Sequence, residues 1–317
     1  MAAVRAYNSE NESFLSGDTA MRIQSCLTSA VISFLILSVA PGCADAQQGA
    51  NREDRAQRAD RLMAVPNPME PSASVWIEDL TYMEVRDRIA AGATTVIIST
   101  GGVEENGPFI VTGKHNVILE SLCPAIAQDL GNALCAPIVP FVPEGNFDPP
   151  SGAMLFPGSI TVRDATYQSL LEDIGNSLKL HGFTDIILIG DSGGNQKGMQ
   201  AAADALNASW ADREVRAHFV VEFYTDGWAE TEEYTAKVLG VSETKNDGHH
   251  DDIWVTAIMM VTDPETVRYR QRVAADLASI NGVDISDLEA TIELGQKMVD
   301  FRAALTADVI RAAIEGE

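Results

Sequence analysis

The chain has 317 residues, 46% of them hydrophobic, and a formal net charge of -24. That length and apolar content suit a large α/β domain with a sizeable core. So acidic a chain lacks the basic face that nucleic acid or an anionic membrane demands, which leaves a soluble surface and a small neutral or cationic substrate.

Residues 1–20 are polar and without pattern, and either Met1 or Met21 can be the true start. Arg22 supplies a short positive region, and Cys26 to Ala40 is an apolar run of signal-peptide length, short for a membrane span. Ala44-Asp45-Ala46 fits a small-x-small cleavage site before Gln47. Residues 1–46 are therefore expected to be a signal region, with the export signal over about 21–46. The mature protein would be periplasmic or secreted, without a stable membrane span. Lipidation of Cys43 is the weaker alternative because Pro41 precedes it, and an uncleaved anchor is the other. Residues 47–75 read as a polar tail or linker, and residues 76–317 as the folded domain. Cys123 falls on a predicted helix and Cys135 at the start of a strand, so two buried free thiols are expected there rather than a disulfide.

From Ile77 a regular alternation begins. Asp79-Leu80-Thr81 opens a helix that Gly92 ends, and Thr95 to Ser99 is an all-apolar strand of the kind buried on both faces of a parallel sheet. A glycine-rich loop leads to a helix near 116–130, and Leu134 to Val139 reads as the next strand. Residues 140–160 form a long Pro/Gly loop, a length that in compact domains usually carries function. A helix over Thr161 to Leu180, a strand over Asp185 to Gly190, a further helix and a strand over Val215 to Val221 follow. Ile253 to Val261 is an apolar helix, and the tail from Pro264 is largely helical. This order predicts a three-layer α/β/α domain with a mainly parallel sheet, whose ligands sit at the carboxyl ends of the strands.

Three segments carry chemistry. The loop after the first strand holds Glu104 and His115, donors suited to zinc, manganese or iron. The turn after the 185–190 strand, Asp191-Ser192-Gly193-Gly194-Asn195, enters a helix; Asp191 can ligate a metal, or Asp191 or Ser192 can merely cap that helix, and Ser192 is in no GxSxG nucleophile elbow. The segment Asn246 to Asp252 includes His249, His250, Asp251 and Asp252, either ligands or a solvated turn before the apolar helix.

In order and spacing, these segments resemble the creatininase (creatinine amidohydrolase) family. Gly101 to Pro108 is similar to the family's G-S-x-E-x-H-G-P loop, Phe156-Pro157-Gly158-Ser159 to its F-P-G-T segment, and Gly190 to Asn195 to its N-G-H-G-G-N turn. His250 falls at the histidine of its H-A-G segment, with Thr256 near its T-S pair. The departures lie at metal positions. Asn106 and Phe109 stand at two usual histidines, His115 at the usual aspartate, Ser192 at the glycine-turn histidine and Val255 at the late glutamate; Ala153 replaces a frequent histidine.

The resemblance implies a creatininase-like fold and a metal-dependent hydrolase of a non-peptide C–N bond, in a cyclic or linear amide. The expected metal set is Glu104, His115, Asp191 and His250 around one divalent ion, zinc before manganese or iron, with Glu104, His115 and His250 converging near Asp191. Asp251, Asp252 and His249 are the catalytic candidates. Asn106, Glu144, Ser192, Gly193, Gly194 and Asn195 are the substrate-binding candidates, with the Gly193 and Gly194 amides toward the oxyanion. A homo-oligomer acting on a small molecule is expected. The rival functions are a non-catalytic binding protein, favoured by the lost histidines, and a lactone or ester hydrolase on the same scaffold.

Overall fold

The computed structural model describes residues 54–211 and 214–316, so the predicted export segment lies outside the described residues. The chain divides into two compact units, residues 1–59 and 60–317. In the first, residues 54–59 are helical. The second carries the sheet and all that follows.

Its helices and strands alternate as the apolar pattern predicts. After a short 3-10 turn at Ile77–Asp79 comes α1 (Tyr82–Ala90), entered through a capping box in which Thr81 and Glu84 each take the other's backbone N–H. Then follow β1 (Thr95–Thr100), α2 (Lys114–Leu130), β2 (Ala133–Cys135), α3 (Asp164–Leu180), β3 (Asp185–Gly190), α4 (Gln196–Ser209) and β4 (Arg216–Phe219). Beyond them lie α5 (Thr225–Lys237), α6 (Ile253–Thr262), α7 (Tyr269–Ala274), a small antiparallel ribbon of β5 (Ser279–Ile280) and β6 (Val283–Asp284), and the long α8 (Leu288–Glu315).

The main sheet has the order β2-β1-β3-β4 and every pair in it is parallel. Alternate residues of its strands feed two cores. Ile97, Ile187 and Ile189 face a layer that includes α2, α6 and α8; Val96, Ile98, Ile186 and Leu188 face α1, α3 and α4. The architecture is three-layer α/β/α. Both faces of β1 and β3 are buried, which is why their sequences show no polar alternation. No helix among the described residues is long and apolar enough to cross a membrane.

One expectation is overturned. Cys123 and Cys135 are joined by a disulfide, their Cα atoms 6.2 Å apart. Helix and strand origins had argued for free thiols, but α2 lies directly on the β2 end of the sheet. Both cysteines are fully buried in the core between them, and the Cα spacing is one that a disulfide spans.

Candidate functional site

In the β1–β3 ladder Thr100 pairs with Gly190, so the loops that follow leave the same edge of the sheet. Side-chain amides fix the two loops. Asn195 Nδ2 donates to Thr100 O at 2.8 Å and to Gly101 O at 2.9 Å, strapping the β3 turn to the end of β1. Asn116, in the first turn of α2, accepts from Gly102 N at 3.2 Å and donates to Gly102 O at 3.1 Å. Two glycines let a third segment, the long loop after β2, come close. A Cβ on Gly102 would lie 2.2 Å from Glu144 Oε1, and one on Gly194 would lie 2.0 Å from Pro143 O.

At that edge His115 bridges two carboxylates. Its Nδ1 is 2.7 Å from Asp191 Oδ2 and its Nε2 is 2.7 Å from Glu104 Oε1. An ionised carboxylate accepts only from an N–H, so a carboxylate at each ring nitrogen favours the doubly protonated, cationic ring. Burial works against that charge, but the two hydrogen bonds overcome it and hold His115 above the usual histidine range. Burial alone would raise Glu104 as well. The hydrogen bond and charge of His115, with Lys114 Nζ at 3.7 Å, hold Glu104 down at about 2.

Glu144 behaves in the opposite way. Burial first, then repulsion from the neighbouring Glu104, pushes its carboxyl up to about 8. Its backbone N–H donates to Thr161 Oγ1 at 2.9 Å, Ser192 Oγ donates to its Oε2 at 3.4 Å, and its buried Oε1 has no hydrogen-bond partner among the described residues. Two carboxyls in one site are thus driven apart, one firmly ionised and one holding its proton at neutral pH, a pattern common where acid–base chemistry is done.

Sequence reasoning passed over three residues here. Arg302 of α8 is completely buried; it donates from one Nη to Asp191 Oδ1 at 3.1 Å and to Phe223 O at 2.9 Å, with Trp228 and Phe223 rings against its guanidinium. The available signal was an arginine at i+4 from Met298 and i−4 from Thr306, both buried on the same helix stripe. Lys114 was visible only as the neighbour of His115; burial pushes it below the usual lysine range, against the pull of Glu104 and Asp191. Tyr224, whose hydroxyl lies beside Gly193, is raised by burial and then by the carboxylates Asp191, Glu104 and Glu144.

The other candidates fall in several places. Asn106 is buried, its Nδ2 donating to Glu104 O at 2.9 Å and its Oδ1 without a partner among the described residues. Ser192 caps the turn by accepting from Gly194 N at 3.4 Å. His249 is half-buried against Gly107, next to Asn106, while the His250 side chain is exposed and does not join the convergence expected for it. Asp251 is buried 3.8 Å from Arg272, whose guanidinium covers the Phe109 ring. Asp252 accepts from Asn281 at 3.3 Å. Glu104, His115 and Asp191 therefore meet; Asp251 and Asp252 are turned to other partners, and His250 is exposed.

This arrangement does not fit a divalent ion. Zinc binds an imidazole through a nitrogen lone pair, and both His115 nitrogens are committed to carboxylates. Asp191 gives one oxygen to His115 and the other to Arg302. Among the described residues no group of three or more His, Cys, Asp or Glu side chains is arranged to hold an ion.

Comparison with known proteins agrees with the architecture. A family model described as creatininase, creatinine amidohydrolase, matches residues 78–309. A creatinine amidohydrolase of Pseudomonas putida is 26% identical over 118 residues, which is 37% of this chain and 45% of that relative, so the match spans under half of the relative's length. A mutant creatininase of Zn–Zn type superposes with a TM-score of 0.57 at 19% identity, over 77% of this chain and 99% of that one. A manganese form of creatininase superposes with a TM-score of 0.54 at 18% identity, over 76% and 99%. At those identities the superpositions speak for the fold alone.

Proposed function

The chain belongs to the creatininase family, and we propose that it is an amidohydrolase that cleaves a non-peptide C–N bond in a small cyclic or linear amide. The observation that carries this reading is the convergence of Glu104, bonded to His115, and the buried Glu144 at the sheet edge where α/β folds bind ligands, with burial and repulsion from Glu104 pushing Glu144 up to about 8. Water must be deprotonated as it attacks the carbonyl carbon, and a base of that strength is suited to the task. In its ionised form, which is favoured above about 8, Glu144 takes the water proton as the C–O bond forms. The same proton passes to the departing nitrogen as the C–N bond breaks. The positive potential of the His115 imidazolium, with Lys114 beside it, stabilises the oxyanion between those steps.

Zinc and manganese belong to two of the solved relatives; in this chain the steps above fall to its own side chains. The test is a panel of creatinine, other lactams and linear amides, with ring opening or ammonia release followed over time. Turnover of at least one amide is expected. Turnover of lactones or esters alone, or binding without turnover, would overturn the reading.

We also propose that the protein is exported and works as a mature chain beginning near Gln47. The signal-like segment supports this, and so does the Cys123–Cys135 disulfide, a bond that persists in oxidising compartments. Non-reducing peptide mapping of protein from its native host should recover the cross-linked peptides, with N-terminal sequencing starting near Gln47. Free thiols at both positions in a chain that retains Met1 or Met21 would refute it.

A further inference from the structure

We propose that this centre dispenses with a divalent ion, and that Arg302, His115 and Lys114 supply the positive charge such an ion would bring to Glu104 and Asp191. The inference concerns the same site as the hydrolase reading but does not depend on it, because it is decided by metal content whether or not the chain cleaves an amide.

The geometry carries the argument. An ion held by Glu104 and Asp191 would have to take the place of His115, which lies 2.7 Å from an oxygen of each. The other oxygen of Asp191 is already paired with the Arg302 cation, and both of those side chains are completely buried. The cationic groups are held in place by the fold. His115 and Lys114 open α2 at the edge of the sheet, and Arg302 is held against the Phe223 and Trp228 rings.

The residues that stand at the family's usual histidine positions have other work here. Asn106 donates to the backbone of Glu104, Ser192 caps the β3 turn, and the Phe109 ring underlies Arg272. Each is engaged in holding a loop or a buried cation. The single substitution with the greatest consequence is at His115. A carboxylate there would join two others at the centre and call for a counter-ion; an imidazolium there already is one.

The experiment uses the full chain, purified without added metal, dialysed against zinc or manganese, and then freed of loose ions. Metal per chain is measured by elemental analysis, and thermal stability is followed with and without chelator. An ion that binds only the folded state would raise the melting temperature. The expected result is far less than one ion per chain and a melting temperature unchanged by metal or chelator. Near-stoichiometric zinc or manganese, with a melting temperature that falls on chelation, would overturn the proposal. His115→Asp removes the built-in cation, and a folded variant is expected to gain metal and a metal-dependent rise in melting temperature. A folded His115→Asp chain that takes up no ion would show that charge is not what keeps the ion out, and would also overturn the proposal. The wild-type measurement decides the matter by itself if that variant does not fold.

Discussion

Replacing Arg302 with methionine is expected to destabilise the fold by about 3–5 kcal/mol, the usual cost of stranding one half of a buried ion pair. Arg302 and Asp191 are both fully buried, and their contact is 3.1 Å. Methionine keeps much of the side-chain volume against Trp228 and Phe223, so packing loss is the smaller part of the effect. The larger part is that a completely buried Asp191 oxygen is left without its partner, and that Phe223 O loses its donor. Urea unfolding followed by circular dichroism gives the magnitude. The pair is also expected to couple: Arg302→Met combined with Asp191→Asn should be less destabilised than the sum of the single variants. Strict additivity would mean that the contact carries no interaction energy. Arg302→Lys is no rescue, because a lysine cannot lie flat against the two rings while reaching Asp191.

Much of the scaffold was legible because it follows from burial. A strand covered on both faces has a continuous apolar run, and residues 96–98 and 186–189 announce themselves that way. Where local chemistry interrupts the pattern the sequence misleads. The apolar run 134–139 read as one strand, but its ladder stops at Cys135 and contact resumes only as an isolated bridge between Thr100 and Val139. Pro137 lies between them and has no N–H to give to a ladder. The helix expected from Thr161 starts at Asp164, because Val162 N donates to Val142 O and keeps the chain extended for two more residues.

The site was legible in part for the same reason. Parallel register brings loops from neighbouring strand ends together, so Glu104, His115 and Asp191 could be expected at one edge. What register cannot give is direction and depth. In the Asn246–Asp252 turn, adjacent residues diverge: Asp251 goes inward to Arg272 and His250 outward. Nor does composition show that an arginine 111 residues from Asp191 will reach it. The disulfide is hidden likewise, since it depends on where α2 settles over β2.

Glu144→Gln is expected to lower kcat/KM by about 10²- to 10⁴-fold, the usual contribution of a general acid–base group. The substitution preserves shape and removes the proton acceptor. In the wild type, burial and the repulsion of Glu104 push the Glu144 carboxyl up to about 8. If Glu144 acts as base on water, kcat/KM should rise with pH and level off above about 8, and this step should vanish in the variant. Stability should move the other way. A carboxyl whose folded value lies above its ordinary 4.5 favours the protonated folded state, so it weakens the fold progressively between 4.5 and about 8 and most fully above that. Glutamine is neutral at every pH. The variant should therefore gain melting temperature over the wild type at pH 9 and little at pH 4. Loss of activity with a gain in stability separates a catalytic role from a structural one, for which both would fall together. A wild-type profile that declines from pH 6 to 9 would show that the protonated form of Glu144 does the chemistry, and would reverse the role assigned to it.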